Sequence, residues 1–165
     1  MERDQDSRSS IVIIEAGAGW PAWITEYQQR APNASVIAQT ANEPASAFRT
    51  RVLARLEEAR RGSSPLSVGI VLCVEGATAE QKEARVAICR IIVNQLSSAG
   101  DLVLAANEGA EPFKHELFAL AGELCEGTTV PHVNVRVRFA VSESGTMPSV
   151  LPRTFSERTK ATGSF

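Results

Sequence analysis

Cysteine is scarce in this chain, with Cys73, Cys89 and Cys125 the only three among 165 residues. The number is odd and no two form a C-x-x-C pair, which excludes a disulfide framework and a zinc-ribbon spacing. There are two histidines, His115 and His132, too few to help build a His/Cys metal site. Aromatic residues are 5% of the chain, so stacking platforms for single-stranded nucleic acid are not evident. Charge of one sign is not in excess either. The net charge is -2, and nothing in that balance points to nucleic acid or to a membrane surface. No apolar run approaches the roughly 20 residues that cross a bilayer.

The start, Met1-Glu2-Arg3-Asp4-Gln5-Asp6, is polar and mixed in sign, and the first apolar run, Ile11 to Ile14, is too short for the core of a secretory signal. The expectation is a cytoplasmic protein. Lysine occurs only at Lys82, Lys114 and Lys160, so arginine supplies most of the 17 basic side chains. With abundant alanine, this is the habit of a GC-rich bacterial genome.

What is present is a 44% hydrophobic chain of single-domain length. Apolar runs alternate with helical periodicities. Ile11–Ile14, Ser35–Gln39, Val68–Val74, Leu102–Ala106 and Val133–Phe139 read as five strands. Pro21, Pro44 and Pro112 sit where prolines open helices. Thr78-Ala79-Glu80-Gln81 has the form of a capping box ahead of the most apolar helix, which the sequence carries to Ser97-Ser98-Ala99-Gly100. That helix has a wide stripe. Cys89, Ile91 and Val93 cannot share one face, so the sequence leaves two covers open: a second protomer or the tail, against Trp20, Trp23 and a neighbouring helix.

Strands alternating with helices predict an α/β three-layer sandwich with a five-stranded parallel sheet. Strands one, three and four are continuous apolar runs and suit the centre; strands two and five are more polar and suit the edges. The flavodoxin-like order 2-1-3-4-5 places them so. Residues 1–10 are expected to be a disordered N-terminus, 11–141 the single domain and 142–165 a flexible tail. The Asn134, Arg136 and Arg138 face of the last strand is expected to be wet or lightly covered. Arg51 and Arg55 should share one side of their helix, and Glu57 should pair with Arg61 at i,i+4.

In such a sheet a ligand binds beyond the carboxyl ends of the strands, at the switch point between strands one and three. The first loop there, Gly17-Ala18-Gly19-Trp20-Pro21-Ala22, fits G-x-G-x-x-[GA]. Gly17 would make the turn and Gly19 would let a phosphate approach the helix start. The plainer reading is that the glycines make the turn and Pro21 starts the helix. Glu15, Glu75 and Glu108 each follow a central strand, and carboxylates on one rim would recruit Mg²⁺ or raise one another's pKa. Thr78 and Asn107 complete the candidate ligand-binding set of Glu15, Gly17, Gly19, Glu75, Thr78, Asn107 and Glu108.

The predicted topology and acidic rim are similar to those of response-regulator receiver domains. The chain departs from them in having a single Glu15 for their paired acids, Glu75 for their phosphorylatable aspartate, and no lysine after strand five, so phosphotransfer does not carry over. Val74-Glu75-Gly76 is similar to the opening of toprim domains, yet no Asp-x-Asp follows at Ala105-Ala106-Asn107-Glu108. The α/β layout is similar to that of universal stress proteins, but Asn107-Glu108-Gly109-Ala110-Glu111 lacks their glycine-rich ATP segment. No G-x-S-x-G elbow occurs.

Two functional expectations follow. The first is a non-catalytic cytoplasmic domain, regulatory, acting on a protein partner or as a homodimer and needing no cofactor. The alternative is a nucleotide- or phosphate-binding domain or small enzyme, with Mg²⁺ or a nucleotide in the loops after strands one, three and four.

Overall fold

The computed structural model describes residues 9–18, 25, 27–29, 33–61, 66–106, 110–127 and 134–139. The elements run β1 (Ser9–Ile14), β2 (Ala34–Ala38), α1 (Ala45–Arg61), β3 (Leu66–Leu72), α2 (Ala79–Gln95), β4 (Leu96–Ala106), α3 (Glu111–Gly127) and β5 (Asn134–Phe139). All five strands are parallel, in the order β2-β1-β3-β4-β5. This is the flavodoxin-like arrangement that strand polarity predicts. Of the helix expected from Pro21, Thr25 and residues 27–29 are described and are helical. The expected disordered N-terminus (apart from Ser9 and Ser10) and the expected tail lie outside the described residues.

Alternating side chains divide the sheet into two faces. Ile11, Ile13, Val71, Leu102, Leu104, Val135 and Val137 form one core with all three labelled helices. Val12, Ile14, Ile70, Leu72, Val103 and Ala105 form the other, joined by Tyr27. The central strands thus carry apolar residues on both faces, as covered parallel strands must.

α1 buries Phe48, Val52 and Leu56, spaced four apart. α2 opens on the capping box expected at Thr78. The Gln81 N–H donates to Thr78 Oγ1 at 3.1 Å, and the Thr78 N–H donates to Gln81 Oε1 at 2.8 Å. α2 is the middle helix of its layer, touching both α1 and α3. That placement accounts for its wide stripe: Ile88, Cys89, Ile92 and Val93 are buried, and Ile91 packs at the margin. Neighbouring helices of the same chain supply this cover; Trp20 and Trp23 lie outside the described residues. Gly69 lets α2 approach the sheet, since a Cβ there would stand 2.6 Å from Ile92 Cγ2.

Several boundaries differ from expectation. β1 begins at Ser9, two residues before the apolar run, because backbone pairing continues: Ser10 faces Ala34 and Val68. The Tyr27 hydroxyl also donates to Ser10 Oγ at 3.1 Å. The break expected at residues 97–100 is a bulge inside β4. Leu66 pairs with Leu96 and Val68 with Asp101, so β4 spends three more residues than β3 between those pairs. On β5, Arg136 is not wet. It is 1% exposed and donates from Nη2 to Asp101 Oδ1 at 3.1 Å, because the acid two pairs back on β4 gives its charge a buried partner. On α1, Glu57 pairs with Arg60 at i,i+3, at 2.6 Å, where pairing with Arg61 was expected.

Candidate functional site

The order reverses between β1 and β3, so the crevice to inspect lies where Ile14 and Leu72 end side by side. Glu15 stands at that point with 5% of its side chain exposed, and α2 lays Arg85 over it with 2% exposed. Arg85 Nε donates to Glu15 Oε2 at 2.6 Å and Nη2 donates to Glu15 Oε1 at 2.7 Å. This two-pronged geometry is the strongest pairing a carboxylate and a guanidinium can make. Arg85 Nη2 also donates to the Val74 carbonyl at 3.0 Å, and the Val74 N–H returns a bond to Glu15 Oε1 at 2.9 Å. Arg85 Nη1 reaches Glu116 Oε2 on α3 at 3.3 Å, and Lys82 Nζ meets the same oxygen at 3.5 Å.

The cluster therefore holds two acids and two bases and is neutral overall. Burial pulls the Arg85 pKa down, but the hydrogen-bonded Glu15 carboxylate outweighs it and raises the pKa above its ordinary value. The same carboxylate acts on the neighbouring thiols. Burial, then the charge of Glu15, pushes Cys89 up to about 12 and Cys73 well above its usual value. Both thiols are thus held protonated and unreactive at neutral pH. Beside the pair, under Gln39, Phe48 and Gln81, is a cavity of about 10 Å³, about the room of one water.

Of the other expected site residues, Gly17, Glu75 and Thr78 are described, and each serves the protein's own turns or caps. Gly17 takes φ +92° in the turn after β1, a conformation that favours glycine. The Ala18 N–H in that turn donates to the Glu15 carbonyl at 3.0 Å. The Ala16 N–H donates to Gln39 Oε1 at 3.2 Å, which fastens this turn to the end of β2. Glu75 is exposed and takes a long 3.5 Å bond from the Ala110 N–H at the start of α3. Gly76 follows it at φ +84°. Thr78 is occupied as the cap of α2. Gly19, Asn107 and Glu108 lie outside the described residues.

Glu15 and Glu75 thus end neighbouring strands on one rim, as the topology predicts, but in unlike settings: one is buried against an arginine and the other faces solvent. Among the described residues no group of three or more His, Cys, Asp and Glu side chains is placed to hold a metal ion. Arg85 is the residue that reading the sequence for acids and glycines missed. Its signal was present, since it is a lone charge on the buried stripe that continues through Ile88, Cys89 and Ile92.

Fold and rim together define a doubly wound α/β domain that, among the described residues, carries the buried Glu15–Arg85 pair at its switch point. Comparison with protein-family models finds no match, and comparison with curated proteins finds none. Among the described residues no helix is long and apolar enough to cross a membrane.

Proposed function

We propose that this chain is a non-catalytic α/β domain that works through protein–protein contacts, a regulatory module of a bacterial cytoplasm that meets a partner or a second copy of itself. The carrying observation is the neutral, buried Glu15–Arg85 pair with Glu116 and Lys82 at the switch point. A phosphate site at that place needs unspent N–H groups and positive charge, and a cation site needs unspent carboxylate oxygens. Here the Arg85 donors and the Glu15 oxygens are bonded to one another and to Val74. The two most buried thiols are held protonated, which leaves no activated nucleophile among them.

A thermal-shift screen with ATP, GTP and NAD, each with Mg²⁺, tests this reading. The expected result is an unchanged melting temperature. A reproducible rise that is lost in Gly17→Val would replace the reading with nucleotide binding. Light scattering across protein concentration separates a homodimer from a monomer that awaits another protein.

A further inference from the structure

β2 is an edge strand, paired on one side with β1. The Gln39 N–H donates to the Ile14 carbonyl at 2.8 Å, and the register advances one to one from Ser10 with Ala34 to Ile14 with Ala38. Alternation then directs the N–H and C=O groups of Ser35 and Ile37 inward, and those of Ala34, Val36 and Ala38 outward. The outward carbonyl of Ala38 is taken by Arg51 Nη2 at 2.7 Å. The outward groups of Val36 have no partner among the described residues.

Beside this edge lies a groove of about 400 Å³ lined by Val36, Ile37, Arg51, Ala54, Arg55 and Glu58. Its floor is aliphatic and two guanidinium groups flank it, Arg51 with 46% of its side chain exposed and Arg55 with 51%.

We propose that the outward edge of β2, unpaired among the described residues, is together with this groove the docking site for an extended acidic segment of a partner protein, which adds to the sheet as a sixth strand. The inference rests on the protein-contact reading above and gives it a surface and a partner chemistry. Strand addition takes affinity from backbone bonds and specificity from alternate side chains. Val36 supplies the backbone frame, the aliphatic floor takes one set of side chains, and Arg55 selects carboxylates, while Arg51 stays bonded to Glu43 and to the Ala38 carbonyl.

Charge separates the competing occupants. α1 carries Arg49, Arg51, Arg55, Arg60 and Arg61 against Glu57 and Glu58, five bases less two acids or +3, in a chain of net charge -2. A second copy placed by a two-fold axis at this edge would bring the same arginines face to face. The chain's own residues 140–165 carry Arg153, Arg158 and Lys160 against Glu143 and Glu157, so they are basic, not acidic. Glu43 and Glu58 now hold the two arginines, Glu43 at 2.8 Å and Glu58 at 2.8 Å. The Arg55–Glu58 pair is exposed on both sides and of the kind that a competing carboxylate exchanges at little cost, whereas half-buried Glu43 grips Arg51 by two prongs, Nε to Oε2 at 3.0 Å and Nη2 to Oε1 at 2.8 Å.

The test is fluorescence anisotropy on the full chain. The probe is an end-capped, fluorescein-labelled heptapeptide of alternating glutamate and valine. Its controls are the lysine–valine analogue and the acidic peptide N-methylated at its valines. Saturable binding of the acidic peptide is expected, at least tenfold weaker for both controls and for Arg55→Glu. Val36→Pro, which removes an outward N–H and no bond to β1, should weaken it similarly. Circular dichroism confirms that the variants fold.

The proposal is overturned by absence of saturable binding to the folded wild type, by equal binding of the lysine analogue, or by an unchanged affinity in Arg55→Glu. A dimer that forms with rising concentration and expels the peptide assigns the edge to a second copy, which also overturns it. Failure here with no nucleotide response would leave the protein-contact reading standing without this surface. A nucleotide response would remove that reading itself.

Discussion

Arg85 and Glu15 face each other across the end of the β1–β3 crevice, joined by two hydrogen bonds of 2.6 and 2.7 Å and almost wholly shielded from water. They are 70 residues apart in sequence and come from a helix and a strand end. Burying one without the other is what the fold cannot tolerate. Arg85→Met should therefore cost about 3–5 kcal/mol in urea unfolding, because it leaves the carboxylate buried and uncompensated. The Glu15→Gln, Arg85→Met double variant should lose less than the sum of the two single variants. Simple additivity would mean that the pair is not coupled.

Gly76 isolates a backbone effect. Its φ is +84° and a Cβ there would touch nothing within 4 Å. Gly76→Ala should thus lose about 1–2 kcal/mol through backbone strain alone. Gly17→Ala should lose a similar amount, since its φ is +92° and its Cβ would make only ordinary contact with Val74 Cγ2 at 3.4 Å. Equal stability of Gly76→Ala and wild type in chemical denaturation would contradict the turn geometry.

Gly69 and Ile92 form a matched pair in the sheet–helix interface. Gly69→Ala should destabilise by about 1–3 kcal/mol through overpacking against Ile92 Cγ2. Ile92→Ala removes that methyl and leaves a cavity of its own. Combined, the two should cost less than their sum, with the coupling read from a double-mutant cycle.

The thiols give a pH signature. Folded Cys89 holds its proton to about pH 12, against 9.0 for an ordinary thiol, and Cys73 is shifted the same way. Below pH 9 the thiols are protonated in both folded and unfolded chains, and their contribution is whole. As pH rises from 9 toward 12 only the unfolded thiols ionise, so stability falls across that window. Cys73→Ala, Cys89→Ala should flatten this alkaline limb. At pH 8 a disulfide reagent should react first with half-buried Cys125, and with Cys73 and Cys89 only on unfolding.

The fold was legible because its signals are periodic and local. Continuous apolar runs marked Ile11–Ile14 and Leu102–Ala106 as covered strands, and Thr78 with Gln81 marked a helix start that the structure forms. Strand polarity alone ordered the sheet, with β2 and β5 at its edges. What was not legible depends on distant partners. Nothing near Arg85 in sequence says that Glu15 waits beneath it. Nothing near Arg136 foretells Asp101, which buries that arginine on a face expected to be wet or lightly covered. The bulge in β4 replaced an expected loop for the same reason, since Leu96 finds its partner in Leu66 on another strand. The turns at residues 15–18 and 75–76 fall where the sequence puts them, but the use of Glu15 was set by a helix whose charge a search for glycines and acids passes over.

We infer that the Glu15–Arg85 pair keeps ligands out of the switch-point crevice. NMR of the Arg85 Nε–H and the Val74 amide tests it most directly, during titration with inorganic phosphate and then with Mg²⁺–ATP. Both groups bond to Glu15. Slow solvent exchange of the guanidinium proton and unmoved resonances to millimolar ligand are expected. A saturable shift at both positions, with faster exchange at Arg85, would show a ligand taking the place of Glu15 and would contradict it.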